Sequence, residues 1–286
     1  MLYDRQYMRE PQTPRRKNLR DLSAVQILLL VNVAVFVLGL FFEGFLNSRW
    51  LVDVFGLSFD GLKHWRLWGL LSYSFLHGTF LHIFLNMLVL HFMGPHLEVR
   101  VGKLRFYGIY FAAVVAGGLM WLLVELITGS DNFLVGASAG VFGVFTAFCM
   151  LEADRKMTFL LFFVFPLQIR PRVLIAFAAG FEFFNFLFNE IAPYSPSTGV
   201  GYSAHLGGIL AGVFASFVIS GKIKIPFGFN FTLGGNKYGW HSENAMTDSE
   251  LKAEVNKILD KINARGFTSL TDREKDILSI AKDRLK

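Results

Sequence analysis

"NFLVGASAGVFG", residues 132–143, sets one serine, Ser138, among glycines, alanines and apolar side chains. Its inner five residues fit two incompatible folds. "GASAG" matches the G-x-S-x-G turn that joins a strand to a helix in soluble α/β-hydrolase sheets. The same residues suit the entry of a membrane helix, where small side chains let neighbouring helices approach closely. The first reading requires a strand before the serine, and an Asp or Glu ahead of a late histidine in an alternating α/β pattern. The surrounding chain supplies none of this, so the membrane reading is the one to follow outward.

Hydrophobic residues make up 53% of the 286, and 32 of them are phenylalanine. The mean hydropathy of +0.44 is too apolar for a soluble domain of this length. A spanning helix needs ~20 mostly apolar residues. Six segments come close: 24–42, 81–97, 105–127, 138–152, 172–189 and 203–220. The expected fold is an all-α membrane protein, a six-helix transmembrane bundle followed by a small soluble helical hairpin. The expected divisions are a basic cytoplasmic segment over 1–23, the membrane domain over 24–222, a linker over 223–246 and the hairpin over 247–286. No small-residue cleavage site follows the first apolar run, so it reads as a retained helix.

Basic residues fix the expected orientation because they resist translocation. Arg5, Arg9, Arg15, Arg16, Lys17 and Arg20 precede the first span. Arg100, Lys103 and Arg105 separate the second from the third, Arg155, Lys156, Arg170 and Arg172 the fourth from the fifth, and Lys222 and Lys224 follow the sixth. The alternate connections "TGSDNFLVGA" and "NEIAPYSPSTGVGY" hold no basic residue. Both termini are therefore expected in the cytoplasm, and a bacterial plasma membrane is the expected location. The long outward connection over 43–80, with Trp50, Trp65 and Trp68, is expected to lie in the interface. The net charge of +6 sits in termini and loops, which the same rule explains, so no nucleic-acid partner is implied. A single cysteine, Cys149, excludes an internal disulfide.

In the tail, Thr247 with Glu250 and Thr271 with Glu274 have the spacing of capping boxes for two helix starts, and Gly266 suits the stop between them. Leu251, Val255, Ile258, Leu259 and Ile262 form an apolar face at helical spacing. The hairpin suits either a docking module for a cytoplasmic partner or a solubilising tail.

Polar groups in hydrocarbon are costly and mark candidate sites. His82 and Asn86 on the second span, Ser138 on the fourth and His205 on the sixth all lie near the outer ends of helices running in one direction. Taken singly, Ser138 reads as a packing residue and His82 with Asn86, four apart, as a structural pair. Their coincidence at one depth favours a site. The chemistry is acyl transfer, in which Ser138 attacks a carbonyl, His205 takes its proton, and donors stabilise the oxyanion. Ser138 begins a helix, whose free amides and positive dipole end favour that anion. No acidic residue stands out as a third member.

At these residues the chain resembles the rhomboid family of intramembrane serine proteases, over roughly residues 60–220. "SYSFLHGTFLHIFLN" is similar to the family's second-helix entry, with His77 upstream of His82 and Asn86. "GPHLEVRVGKLRFY" resembles the following turn, with Gly94, Glu98 and Gly102 at four-residue spacing. "GASAG" falls at the nucleophile motif, and "AHLGGILAG" resembles the sixth-helix signature, with Gly208 and Gly212 spaced for close packing.

The resemblance implies a Ser138–His205 dyad and an oxyanion hole of His82, Asn86 and the Ser138 amide. Gly136, Phe142, Gly208 and Gly212 would support these groups, Phe142 by packing on the imidazole. It implies no cofactor and no metal. The partners it implies are membrane lipids and single-span protein substrates, cut near the outer face where a helix unwinds.

Two features depart from the family pattern. Ala139 follows the serine where glycine is common, and the Trp65–Arg66 pair of the first loop is displaced by three residues. Glu182 and Asn185 in the fifth span read as structural, with substrate contact as the alternative. Two rival functions remain: an inactive relative that binds membrane clients, and a transporter. The first would lack the serine or the histidine, and the second would show a mid-membrane polar path and internal repeats.

Overall fold

The computed structural model describes residues 22–130, 132–161, 165–192, 199–223 and 248–266, together with 269–271, 274, 277, 278 and 281. The basic segment before residue 22, most of the 223–246 linker, and Thr247 of the first tail cap lie outside the described residues. The chain forms two compact units, residues 1–224 and 225–286.

The first unit is a helical membrane bundle. Its long helices are α1 (Ala24–Leu46), α5 (Phe80–Val101), α6 (Lys103–Thr128), α8 (Pro171–Asn185), which runs on as a π-helical turn over Phe186–Ile191, and α9 (Tyr202–Ile219). α7 (Ser138–Leu151) is shorter. Five of these segments are long and apolar enough to cross a membrane, and α7 is apolar but only 14 residues long. The outer faces stay apolar without being buried, as at Phe45, Leu104 and Phe177. That is the surface a bundle presents to lipid and the opposite of a soluble one.

The first loop is more ordered than an interfacial segment requires. It carries three short helices, α2 (Trp50–Phe55), α3 (Phe59–Lys63) and α4 (Gly69–Ser72), then a 3-10 turn over Tyr73–Phe75. Arg66 donates to the Asp53 carbonyl at 2.5 Å and Trp68 Nε1 to the Val54 carbonyl at 2.8 Å. The displaced arginine thus still ties the loop together. Tyr73, fully buried, donates to the Val114 carbonyl at 2.7 Å and fastens the loop to α6.

A second feature has no counterpart in the sequence reading. The connection between α7 and α8 is an antiparallel pair, β1 (Met157–Leu161) and β2 (Phe165–Ile169), with Met157 opposite Ile169.

Acidic side chains close the helix ends. Glu98 near the end of α5 accepts from the Ala24 and Val25 amides at 2.7 and 3.0 Å, satisfying the free first turn of α1. Glu125 accepts from Asn132 at the end of α6, and Glu190 accepts from the Ser203 amide at 2.7 Å at the start of α9.

The centre of the bundle is α6, α7 and α9, packed through missing side chains. A Cβ at Gly117 would fall 2.5 Å from the Ala139 Cβ, and one at Gly207 2.6 Å from the Ala116 carbonyl. At Gly208 a Cβ would run into the Ala139 carbonyl, and at Gly212 it would lie 2.5 Å from the Gly143 carbonyl. The second pair of glycines therefore puts α9 backbone directly on α7 backbone.

The second unit contains α10 (Asp248–Arg265). Gly266 stops it at φ +78°, a left-handed conformation that glycine adopts freely. Thr271 and Glu274 then cap a second helical segment reciprocally: the Thr271 amide donates to Glu274 at 2.7 Å and the Glu274 amide to Thr271 Oγ1 at 3.3 Å. Leu251, Ile258, Leu270, Ile277 and Ala281 are buried together.

Candidate functional site

A helix of 14 residues is roughly 21 Å long, short of the ~30 Å hydrocarbon layer. One end of α7 must stop inside the bilayer, and the chain leading to Ser138 shows which. Irregular backbone is tolerated at that depth only where protein satisfies its polar groups. Leu57 and Leu134 exchange both backbone hydrogen bonds, at 3.2 and 2.8 Å, and the Gly136 amide donates to the Tyr73 carbonyl at 3.0 Å. The first loop thus supplies partners for the strand-like approach to α7, whose first residue is Ser138.

Gly136 makes the approach possible. Its φ of +131° is a conformation that L side chains rarely adopt, and a Cβ there would lie 2.6 Å from the His82 ring and 3.6 Å from Ser138 Oγ. His82 and Ser138 therefore face one another across a glycine that cannot be filled. Ser138 is the first residue of α7, and its amide belongs to the turn that no helical carbonyl satisfies.

The imidazole of His205, in the first turn of α9, stands against this serine, with Nε2 2.8 Å from Ser138 Oγ. Phe142, one turn along α7, packs on the same ring with centroids 4.7 Å apart and planes tilted by 34°. Tyr202 meets it edge-on at 6.2 Å. Both the close α7–α9 approach and the ring contact with Phe142 hold the imidazole against the serine.

His82 and Asn86 come from the start of α5, which Thr79 caps through the His82 amide at 3.1 Å. Asn86, buried, gives one amide hydrogen to His77 Nε2 at 3.3 Å. The Ala137 amide, just before the nucleophile candidate, points to the same nitrogen at 3.4 Å. With two donors aimed at it, Nε2 of His77 is the acceptor. Burial, reinforced by the neighbouring His82, pushes this imidazole down to about 3, so it stays neutral and can accept. His77, noted in the sequence only as an upstream histidine, is the piece that joins Asn86 to the turn before Ser138.

The structure gives one further acidic side chain a definite partner. Glu182 of α8, expected to be structural, lies with Oε2 2.7 Å from His205 Nδ1, and only 7% of the residue is exposed. An acidic residue does stand beside the histidine after all. The available signal was chemical: a glutamate in the middle of an apolar span needs a partner. Asn185, paired with it in the sequence reading, donates back to the Phe181 carbonyl and accepts from Asn189, both at 2.8 Å.

The comparisons with known proteins agree on one family. Residues 64–222 match the rhomboid domain, and residues 249–280 match a family of unknown function, DUF6576. Rhomboid-like protease 1 of Toxoplasma gondii is 29% identical over 168 residues, covering 55% of this chain and 49% of its own. Rhomboid protein 1, mitochondrial, of Saccharomyces cerevisiae is 31% identical over 155 residues, covering 53% of this chain and 41% of its own. A Bacillus subtilis relative is 27% identical over 187 residues, covering 64% of this chain and 82% of its own. The chain spans about half the length of the first two.

Proposed function

Because this chain belongs to the rhomboid family, we propose that it is an intramembrane serine endopeptidase acting on single-span membrane proteins near the outer face of the bilayer. Relatives named as proteases support this at the level of the family. For this chain, the observation that carries the reading is the 2.8 Å contact between Ser138 Oγ and His205 Nε2, two residues 67 apart in sequence that meet part-buried between α7 and α9.

In this reading Ser138 Oγ attacks the scissile carbonyl while His205 Nε2 takes its proton. The resulting oxyanion accepts hydrogen bonds from the Ser138 amide at the start of α7 and from His82 and Asn86. The imidazolium then gives its proton to the leaving amine. Water repeats the sequence on the acyl-enzyme and restores the serine. The substrate segment must unwind first, since a helix keeps its carbonyls hydrogen-bonded. Both termini are assigned to the cytoplasmic side of a bacterial plasma membrane on the charge bias.

The test is cleavage of a single-span reporter with a helix-breaking, small-residue segment near its outer end, in liposomes, by wild type and Ser138→Ala. Cleavage by the wild type alone is the expected result. Equal cutting by both removes Ser138 from the role. No cutting by either, with no labelling of Ser138 by a serine-reactive phosphonate, points instead to an inactive, client-binding relative.

A further inference from the structure

The catalytic imidazole is held from both sides. Ser138 Oγ lies 2.8 Å from Nε2 and Glu182 Oε2 lies 2.7 Å from Nδ1, so one ring joins side chains from α7, α9 and α8. The side chains of His205 and Glu182 are 13% and 9% exposed, and water has little access to either. We propose that Glu182 is the positioning residue of this site, making the serine–histidine pair a Ser138–His205–Glu182 triad. The inference rests on the protease reading above and adds to it a residue that a two-member mechanism leaves without a task.

Burying a carboxylate is costly. Glu98, Glu125 and Glu190 each accept from backbone amides near a helix end, and the part-buried Glu152 pairs with Arg100. Glu182 lies inside α8 and meets the histidine instead. A buried carboxylate is retained where a partner compensates its lost hydration. Here that partner is the base.

The contact does two things. A neutral imidazole has one N–H, and a carboxylate can only accept it, so the proton is drawn to Nδ1 and the Nε2 lone pair is left facing the serine hydroxyl. When Ser138 surrenders its proton, the ring becomes positive between Phe142 and a carboxylate in a site with little water, where opposite charge is worth most. Among the described residues, His82 from α5, Glu190 from the turn after α8 and the Tyr202 ring are the other titratable groups around the imidazole. Glu190 is occupied by Ser203.

Glu182→Gln and Glu182→Asp in the full chain, assayed in liposomes beside wild type and Ser138→Ala, separate positioning from packing. Gln preserves shape and removes charge, whereas Asp preserves charge and shortens the reach. A positioning role predicts that Gln lowers kcat by on the order of 10²- to 10⁴-fold with KM within about twofold, and that Asp retains more activity than Gln. Phosphonate labelling of Ser138 should slow in the same order. A packing role predicts the reverse ranking, with the isosteric Gln the better enzyme. Gln at the wild-type kcat overturns the proposal while leaving the protease reading intact. A wild type that neither cleaves nor labels removes both.

Should Gln fail to fold, the wild type decides alone. In 15N-histidine-labelled protein, a strongly downfield Nδ1–H on His205 supports the triad, and a ring protonated only at Nε2 overturns it.

Discussion

The α7–α9 seam and the core of the C-terminal unit are both tight, and they are built in opposite ways. The seam is made by absent side chains: Gly208 rests on the Ala139 carbonyl and Gly212 on the Gly143 carbonyl. The hairpin is made by present ones, with Leu251, Ile258 and Ile277 buried to 2% exposure or less. The solvent explains the difference. In lipid, moving a leucine from the outside to a helix interface gains little, so stability comes from close backbone contact and satisfied polar groups. In water, each buried leucine removes apolar surface from the solvent, worth about 1.5–3 kcal/mol.

Substitutions can break this contrast. Gly208→Leu should have the largest effect, because its side chain meets backbone that cannot rotate aside. Ala139 follows Ser138 directly, so separating α7 from α9 also separates serine from histidine. A displacement of 1 Å costs on the order of 10²-fold in rate. Cleavage of the reporter should fall at least that far, with a lower unfolding midpoint in detergent. Retention of wild-type activity would show the seam to be plastic.

Leu251→Ala tests the other side. Removing a fully buried leucine should destabilise the hairpin by about 2–5 kcal/mol, read by hydrogen exchange across residues 248–281 of the full chain. Reporter cleavage should stay within about twofold of wild type.

The smallest effect sharpens the comparison through two carboxylate contacts of equal length. Glu182 meets His205 at 2.7 Å, buried among helices, while Glu274 meets Lys261 at 2.7 Å on the partly buried edge of the hairpin. Hydrogen bonding from Lys261, then from the Thr271 amide, lowers Glu274 to about 2. A carboxylate lowered on folding stabilises the fold above its ordinary range, and that contribution is lost as pH falls from about 4.5 through about 2. Protection of the hairpin amides, taken relative to the intrinsic exchange rate at each pH, should fall across that window in the wild type, and Glu274→Gln should flatten the response. Solvent screening keeps the effect small.

Much of the bundle was legible in the chain because its signals are local. Apolar runs gave six spans whose positions agree with α1, α5, α6, α7, α8 and α9 to within a few residues. The smallness of residues 136–140 and the polar residues at matching helix ends marked Ser138, His205, His82 and Asn86 as candidates. The β1–β2 pair escaped notice because its strands are short apolar runs beside longer ones, where length is the only discriminator.

Hydropathy, charge bias and capping patterns act over a turn or two of chain, so the amino-acid sequence by itself determined a six-span helical membrane protein, its likeness to the rhomboid family, and the candidate serine and histidine. Only the tertiary structure decided which polar side chains meet. That Glu182 faces His205 Nδ1, that His77 links Asn86 to the Ala137 amide, and that Arg66 closes the first loop on Asp53 depend on how each helix is rotated about its own axis and where its neighbours stand. That rotation is set by packing across contacts 9 to 60 residues apart in sequence, which no local pattern encodes.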